Sequence, residues 1–325
     1  MTALFPTDLA ALEARMQDGL VRVEARLRAE IASDYHLADI TARHLVEAGG
    51  KRFRPLLVLL ASEFGDPQAQ GVVPAAVVVE LTHLATLYHD DVMDEAPMRR
   101  GVESANSRWG NTVAILSGDF LFARSSAILA DLGPEAVRVQ AQTFERLVIG
   151  QLRETTGPVD GEDAVTHHLE VLADKTGSLI AAAGRYGGML SGASAEHTDR
   201  IAAFGESIGI AFQLSDDLLD IESTVSGKTP GTDLREGIKT LPALLALADP
   251  TTDGRLRDLL NRPLPDDSEH TEALAALRAH QAMDEARLVL AEWTDRARGQ
   301  LDGLPDGDAK TALAALCDSV QFRSI

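Results

Sequence analysis

Apolar residues fall at Leu9, Leu12, Met16, Leu20, Val23, Leu27 and Ile31, at intervals of three and four. That spacing gathers them on one face of an α-helix but scatters them over both faces of a strand, so the segment can bury them together only as a helix. The stripe recurs over 36–48, 52–64, 74–94, 112–131, 134–152, 163–190, 196–221 and 240–248. Period-two alternation is missing. "AAVVV" at 75–79 suits a strand on propensity alone, but it lies inside a longer run of Ala, Leu and Glu, and length favours helix.

The breaks between stripes are short: Gly49-Gly50, Gly65-Asp66-Pro67, Ala96-Pro97, Gly133-Pro134, Gly157-Pro158 and Gly192. The most irregular stretch is 222–240, and polar breaks also fall near 249–271. A chain of 325 residues gives a soft prior of about two domains, yet no long linker, low-complexity tract or repeat divides it. Ten or so helices with short connections predict one all-α domain over 1–325, a large antiparallel bundle.

The net charge of −20 argues against a nucleic-acid-binding surface, which needs a basic face. The single cysteine, Cys317, excludes an internal disulfide framework or a CxxC site and fits a reducing, cytoplasmic compartment. The start "MTALFPTDLA" lacks the basic and apolar regions of a signal peptide. The most apolar window, 71–88, is broken by Pro74, Glu80 and His83, so no transmembrane segment is expected.

Two stretches carry chemistry. "HDDVMDEAPMRRG" at 89–101 places Asp90 and Asp94 one helical turn apart, with Asp91 beside them. Clustered carboxylates raise one another's pKa, and a hard divalent cation such as Mg²⁺ relieves the conflict while also taking phosphate oxygens. A single DDxxD is more often a solvated helix face. Here a second copy, "FQLSDDLLD" at 212–220, sets Gln213, Asp216 and Asp220 on one stripe with Asp217 alongside. Both copies close strongly apolar helices, a poor place for charge that merely solubilises, and cations follow each. Metal ions held by such carboxylates call for a polyanionic ligand, and a diphosphate fits best. Arg99 and Arg100 are suited to bidentate phosphate contacts. A third element, "GGKRFRP" at 49–55, clusters Lys51, Arg52 and Arg54 at a helix junction. It is either a surface basic patch or a second anion site, and it lacks the GxxxxGK[ST] order of a Walker loop. His83 lies two turns before Asp90 on the same stripe.

With "LTHLATLYHDDVMDEAPMRRG", "LSGDFLFARSS", "KTGSL" and "GKTPGTDLREGIKTLP" added to these, the chain resembles the trans-isoprenyl diphosphate synthases, or polyprenyl synthetases, from about residue 36 onward. The resemblance implies an all-α bundle around a deep central cavity, usually in a homodimer, with three Mg²⁺ ions per active site. It implies chain elongation: an allylic diphosphate ionises, the double bond of isopentenyl diphosphate attacks the cation, and a proton is lost. By resemblance Asp90, Asp94 and Asp216 are the direct Mg²⁺ ligands, supported by Asp91, Asp217 and Asp220. Arg99, Lys175, Gln213, Lys228 and Lys239 would contact the allylic diphosphate, with Thr176 beside them. Lys51, Arg54, His83 and Arg100 would bind isopentenyl diphosphate. Asp90, Asp94, Asp216, Lys175 and Arg99 would carry the catalysis. The family often reads "GKxTLP" where this chain reads "GIKTLP", so Lys239 is shifted by one position and Ile238 takes the usual lysine place; Phe53 replaces a more usual leucine.

Short-chain members carry aromatic residues at the positions of Ala85 and Thr86. On this helix Thr86 lies one turn below Asp90 and Thr82 two turns below, so the stripe is expected to line the cavity that the growing chain enters. Small residues there predict a long product, C30 to C50, of the kind used for quinone side chains, with geranylgeranyl or farnesyl diphosphate as the alternative. Two other classes compete. A terpene cyclase has no use for "GGKRFRP", and a non-catalytic partner subunit would be expected to lack one aspartate motif.

Overall fold

The computed structural model describes residues 9–222 and 230–322. The described chain is all-α. In order, the helices are α1 Ala10–Glu30, α2 His36–Glu47, α3 Phe53–Ser62, α4 Val72–Met93, α5 Ala105–Trp109, α6 Asn111–Leu132, α7 Pro134–Thr156, α8 Ala164–Leu172, α9 Ser178–Ser191, α10 Ala195–Glu222, α11 Thr232–Glu236, α12 Leu241–Ala248, α13 Gly254–Leu260, α14 Asp267–Arg278, α15 Ala282–Leu301 and α16 Asp308–Phe322. Two departures from the expected pattern matter. The stripe at 163–190 is not one uniform helix, because a π turn, Ala173–Gly177, joins α8 to α9. A two-stranded hairpin, β1 Met98–Arg99 and β2 Val102–Glu103, follows the first aspartate motif, where no strand is predicted. Its turn residues Arg100 and Gly101 have φ of 54° and 79°, the pair of positive values that a two-residue I′ turn requires. Arginine at the first turn position hides the hairpin from sequence patterning.

The described residues form two compact units, and several of the divisions fall inside continuous helices rather than at linkers. The first comprises 1–144, 179–202 and 303–313. Its centre is α4, which packs against α1, α3 and α6. The α1 stripe buries Leu12, Met16, Val23 and Leu27, and α3 is buried at every position from Pro55 to Ser62. A fully buried leucine such as Leu57 contributes about 1.5–3 kcal/mol relative to an exposed one. By length and composition α4 and α6 could each cross a membrane; 67% of the α4 window is buried within the protein, as expected of a core helix, and 39% of the α6 window.

The second unit comprises 145–178, 203–302 and 314–325. Here α12 packs on α8 and α15, and α14 packs on α11, α13 and α15. Aspartates start three of its helices. Asp163, Asp253 and Asp266 accept backbone N–H bonds at the first turns of α8, α13 and α14, each such cap contributing about 1 kcal/mol.

Candidate active site

In the first unit, the last turns of α4 carry His83, Thr86, Asp90 and Asp91, and Asp94 caps the helix. The three aspartates meet different surroundings. Asp91 is fully buried. Its Oδ1 accepts a bond from Arg99 Nε at 2.5 Å, while its Oδ2 is buried without a partner. Burial pushes the Asp91 carboxyl above its ordinary value, and Arg99 pulls it back. Asp90 is half-buried and Asp94 exposed. Arg99, on β1, uses Nε on Asp91 and keeps 30% of its side chain open.

The second cluster forms where α2 gives way to α3. Gly49 and Gly50, with φ of 87° and 148°, turn the chain, and Arg52 enters α3 in the left-handed region at φ 51°. Arg52 is fully tied: Nε donates to Glu24 at 3.0 Å, Nη1 to Glu80 at 2.7 Å and Nη2 to the Val46 carbonyl at 3.1 Å. Its neighbours are not. Arg54 Nε is buried without a partner, and burial pushes its guanidinium down to about 10, against the pull of Glu80. Arg100 donates to the carbonyls of Leu45, at 3.2 Å, and Gly49. Lys51 is exposed. Burial, and then Arg54 and Arg100, hold His83 well below the ordinary imidazole value. Arg52 finds Glu24 and Glu80, but Arg54 and Arg100 bring further positive charge into the same low-dielectric region. That excess suits an anion with several oxygens.

Below the aspartates, Thr82 and Ala85 are fully buried while Thr86 is only half-buried. Thr82 donates to the Val78 carbonyl at 2.9 Å and accepts from Gln140 Nε2 at 2.8 Å. The Thr86 hydroxyl turns back to the His83 carbonyl at 2.8 Å.

In the second unit, α10 carries the other motif. Asp217 is buried with both oxygens engaged, Oδ2 by His168 Nε2 at 3.1 Å and Oδ1 by Gln213 Nε2 at 3.3 Å. Asp220 accepts the backbone N–H groups of Thr232 and Asp233, each at 3.2 Å, and so anchors the start of α11. Asp216 is half-buried. Lys175, in the π turn, pairs with Glu154, and Thr176 beside it is half-buried. Lys239 is exposed, as is Ile238. Lys228 lies outside the described residues.

Sequence reasoning missed four partners: Glu80 under Arg52, Glu154 on Lys175, His168 on Asp217 and Arg146, which bridges Asp174 and Glu206. Only Glu80 left a signal, as a carboxylate within an otherwise apolar helix. His168 and Asp217 are 49 positions apart, beyond the reach of local spacing.

Hard oxygen donors are the ligand type that Mg²⁺ takes. Among the described residues no three His, Cys, Asp or Glu side chains form a closed cage. Mg²⁺ is commonly held by one or two carboxylates and completed by phosphate oxygens and water. Asp91 Oδ2 is buried without a partner next in sequence to Asp90, and the carboxylates of this motif are of the donor type that fits the ion.

The sequence model of the polyprenyl synthetase family matches residues 36–277. A nonaprenyl diphosphate synthase from Mycobacterium tuberculosis is 51% identical over 95% of this chain and 93% of its own. Among solved structures, a geranylgeranyl pyrophosphate synthase from Corynebacterium glutamicum, complexed with calcium and isoprenyl diphosphate, superposes with a TM-score of 0.88 at 48% identity, covering 96% of this chain and 97% of that one. A decaprenyl diphosphate synthase from Rhodobacter capsulatus gives 0.88 at 33% identity, covering 98% and 99%. With the all-α fold, both aspartate motifs and the basic cluster already in place, the match identifies the chain as a member of the polyprenyl synthetase family of prenyltransferases.

Proposed function

We propose that this enzyme condenses isopentenyl diphosphate with an allylic diphosphate and repeats the step to give a trans-polyprenyl diphosphate of C30 to C50. The observation that carries this reading is the pair of half-buried guanidiniums, Arg54 and Arg100, with the imidazole of His83 among them, in a chain that also carries both aspartate motifs. A cyclase, which ionises one diphosphate, has no use for a second anion site.

In this reading Lys51, Arg54, His83 and Arg100 bind isopentenyl diphosphate. His83, kept neutral by burial among arginines, donates a hydrogen bond without adding charge. Asp90, Asp94 and Asp216 hold Mg²⁺, which supplies Lewis-acid stabilisation of the leaving diphosphate. Asp91, Asp217 and Asp220 act in support, a role that agrees with their engagement by Arg99, by His168 and Gln213, and by the α11 backbone. Arg99, Lys175, Thr176, Gln213 and Lys228 contact the allylic diphosphate and stabilise the charge it gains as its carbon–oxygen bond breaks, while Lys239, exposed and shifted by one position, stands aside. The double bond of isopentenyl diphosphate then attacks the allylic cation, and a proton leaves.

Small side chains at Ala85 and Thr86, together with the nonaprenyl and decaprenyl synthases among the relatives, support a long product. The geranylgeranyl synthase relative makes a C20 product the second reading. Exposed Ile115 and Leu116 on α6, at 42% and 60%, support a homodimer that covers this apolar face. The family match runs across both compact units, which supports one domain. A cytoplasmic location goes with the buried free thiol of Cys317. The test is incubation of purified protein with Mg²⁺, radiolabelled isopentenyl diphosphate and an allylic primer, with products sized after dephosphorylation. Label in chains of C30 or longer supports the reading. Label confined to C20 favours the second, and cyclised hydrocarbon or no turnover rejects both.

A further inference from the structure

The segment bearing Lys175 follows an unusual path. Between α8 and α9 the backbone widens into the π turn Ala173–Gly177. Such turns are uncommon, occur mostly as single-turn bulges and frequently mark functional sites. Nothing in the local sequence, Ala-Asp-Lys-Thr-Gly, imposes one, so the surroundings must hold it.

Three residues of α7, Arg146, Gly150 and Glu154, lie one helical turn apart on a single face, and all three meet this turn. Arg146 Nε donates to Asp174 Oδ1 at 2.8 Å; its Nη2 donates to Glu206 Oε1 at 2.6 Å and to the Ala173 carbonyl at 3.3 Å. One guanidinium thus joins α7, the π turn and α10. At Gly150 a Cβ would lie 2.8 Å from Asp174 Cβ and 2.9 Å from the Lys175 backbone nitrogen, so the missing side chain lets α7 press on the turn. Glu154 holds the Lys175 ammonium. On the other side, a Cβ at Gly177 would lie 3.2 Å from the Glu206 carbonyl oxygen, so the turn also packs against α10.

We propose that Arg146 is a positioning residue: by bridging α7, the π turn and α10 it fixes the direction in which Lys175 and Thr176 present themselves to the allylic diphosphate. This rests on the reading of Lys175 as a diphosphate contact. Without the bridge the turn can relax to an α-helix. Losing one inserted residue would swing Lys175 by roughly 100° around the helix axis.

The experiment compares wild type, Arg146→Gln, Arg146→Lys and Gly150→Ala, with Arg185→Gln, which removes a surface ion pair to Asp199, as the control. Amide hydrogen exchange over 173–177 is read first, because it requires no turnover. Arg146→Gln is expected to speed exchange there by tenfold or more relative to α8, with Arg146→Lys intermediate and the control unchanged. Kinetics follow. The KM for the allylic diphosphate should rise about tenfold while that for isopentenyl diphosphate stays within twofold, and Gly150→Ala should show the same split. Unchanged protection of the turn overturns the proposal, as does an equal rise in both KM values. Should Arg146→Gln not fold, the split in Arg146→Lys and Gly150→Ala decides. A wild type that incorporates no isopentenyl diphosphate, with protection lost in Arg146→Gln as expected, would instead refute the functional reading.

Discussion

Substitution of Thr86 by phenylalanine separates two reasons for the small residues beneath the first aspartate motif. Thr86 and Asp90 are one turn apart, so the new ring would stand about 6 Å along the helix axis from the Asp90 level. The threonine is half-buried, and its hydroxyl only closes a local bond to His83. A partly exposed site accepts a ring at less cost to the fold than a fully packed one. Ala85 differs. It is fully buried, and α6 comes so close at this level that a Cβ on Gly118 would lie 3.1 Å from the Ala85 carbonyl. Phenylalanine there overfills a packed interface, at a cost of about 1–3 kcal/mol. The expected results diverge. Thr86→Phe keeps near-normal thermal stability and shifts the main product to about C20 or shorter, since the path closes one turn below the metal-binding residues. Ala85→Phe loses stability first, and any shortening of product comes with a lowered Tm. The assay is reversed-phase chromatography of dephosphorylated products beside a thermal melt of each variant. Full-length product from a stable Thr86→Phe enzyme would refute the argument, because the growing chain would then not pass along this face.

Asp90→Ala and Asp216→Ala should each lower kcat at least about 100-fold, since each removes a ligand that stabilises developing charge; near-normal turnover of either at saturating Mg²⁺ would remove it from the metal-binding set. Lys239 is exposed and displaced by Ile238, so Lys239→Ala should leave the KM for the allylic substrate within about twofold while Lys228→Ala raises it roughly tenfold; steady-state kinetics with both variants checks this, and equal large effects would show that Lys239 reaches the substrate. His83 binds its proton more weakly in the folded protein than at its ordinary value of 6.5. The unfolded chain therefore holds more protons below that pH, and stability attributable to His83 is complete above 6.5 and falls as the pH drops from there. Melts of wild type and His83→Gln between about pH 5 and 7.5 should show a shallower acid-side slope in the variant, and identical slopes would contradict the burial of this imidazole.

The helices were legible because their stripes are long and their breaks carry Gly and Pro. The spans predicted at 36–48, 112–131 and 196–221 meet α2, α6 and α10 within a residue or two. Both aspartate motifs and "GGKRFRP" were legible as chemistry, since their charges sit at the ends of apolar helices where solubility does not call for them. The division of labour within each motif was not legible from spacing. That Asp91 is buried on Arg99 while Asp94 is exposed follows from where α4 ends and β1 begins. The π turn escaped for a similar reason: its cause lies in Arg146, Gly150 and Glu206, on helices distant in sequence. The hairpin at 98–103 escaped because an arginine adopts a left-handed conformation that sequence patterns reserve for glycine, asparagine and aspartate.

Arg100 shares that trait with two other residues. Among the described residues, Arg52, Glu95 and Arg100 are the non-glycine positions with left-handed backbones, and each borders a stretch that carries charge for the reaction. A non-glycine residue in that region costs about 1–2 kcal/mol, so the rim of the active site is where the fold sits furthest from its own optimum. Selection for heat resistance alone, with no demand for turnover, would therefore be drawn first to these three positions. A glycine at Arg52 or Arg100 would relax the backbone and at the same time dismantle the cation cluster. Thermostabilised descendants of this enzyme should accordingly be screened for activity at every round, because two of these three positions, Arg52 and Arg100, belong to the cation cluster.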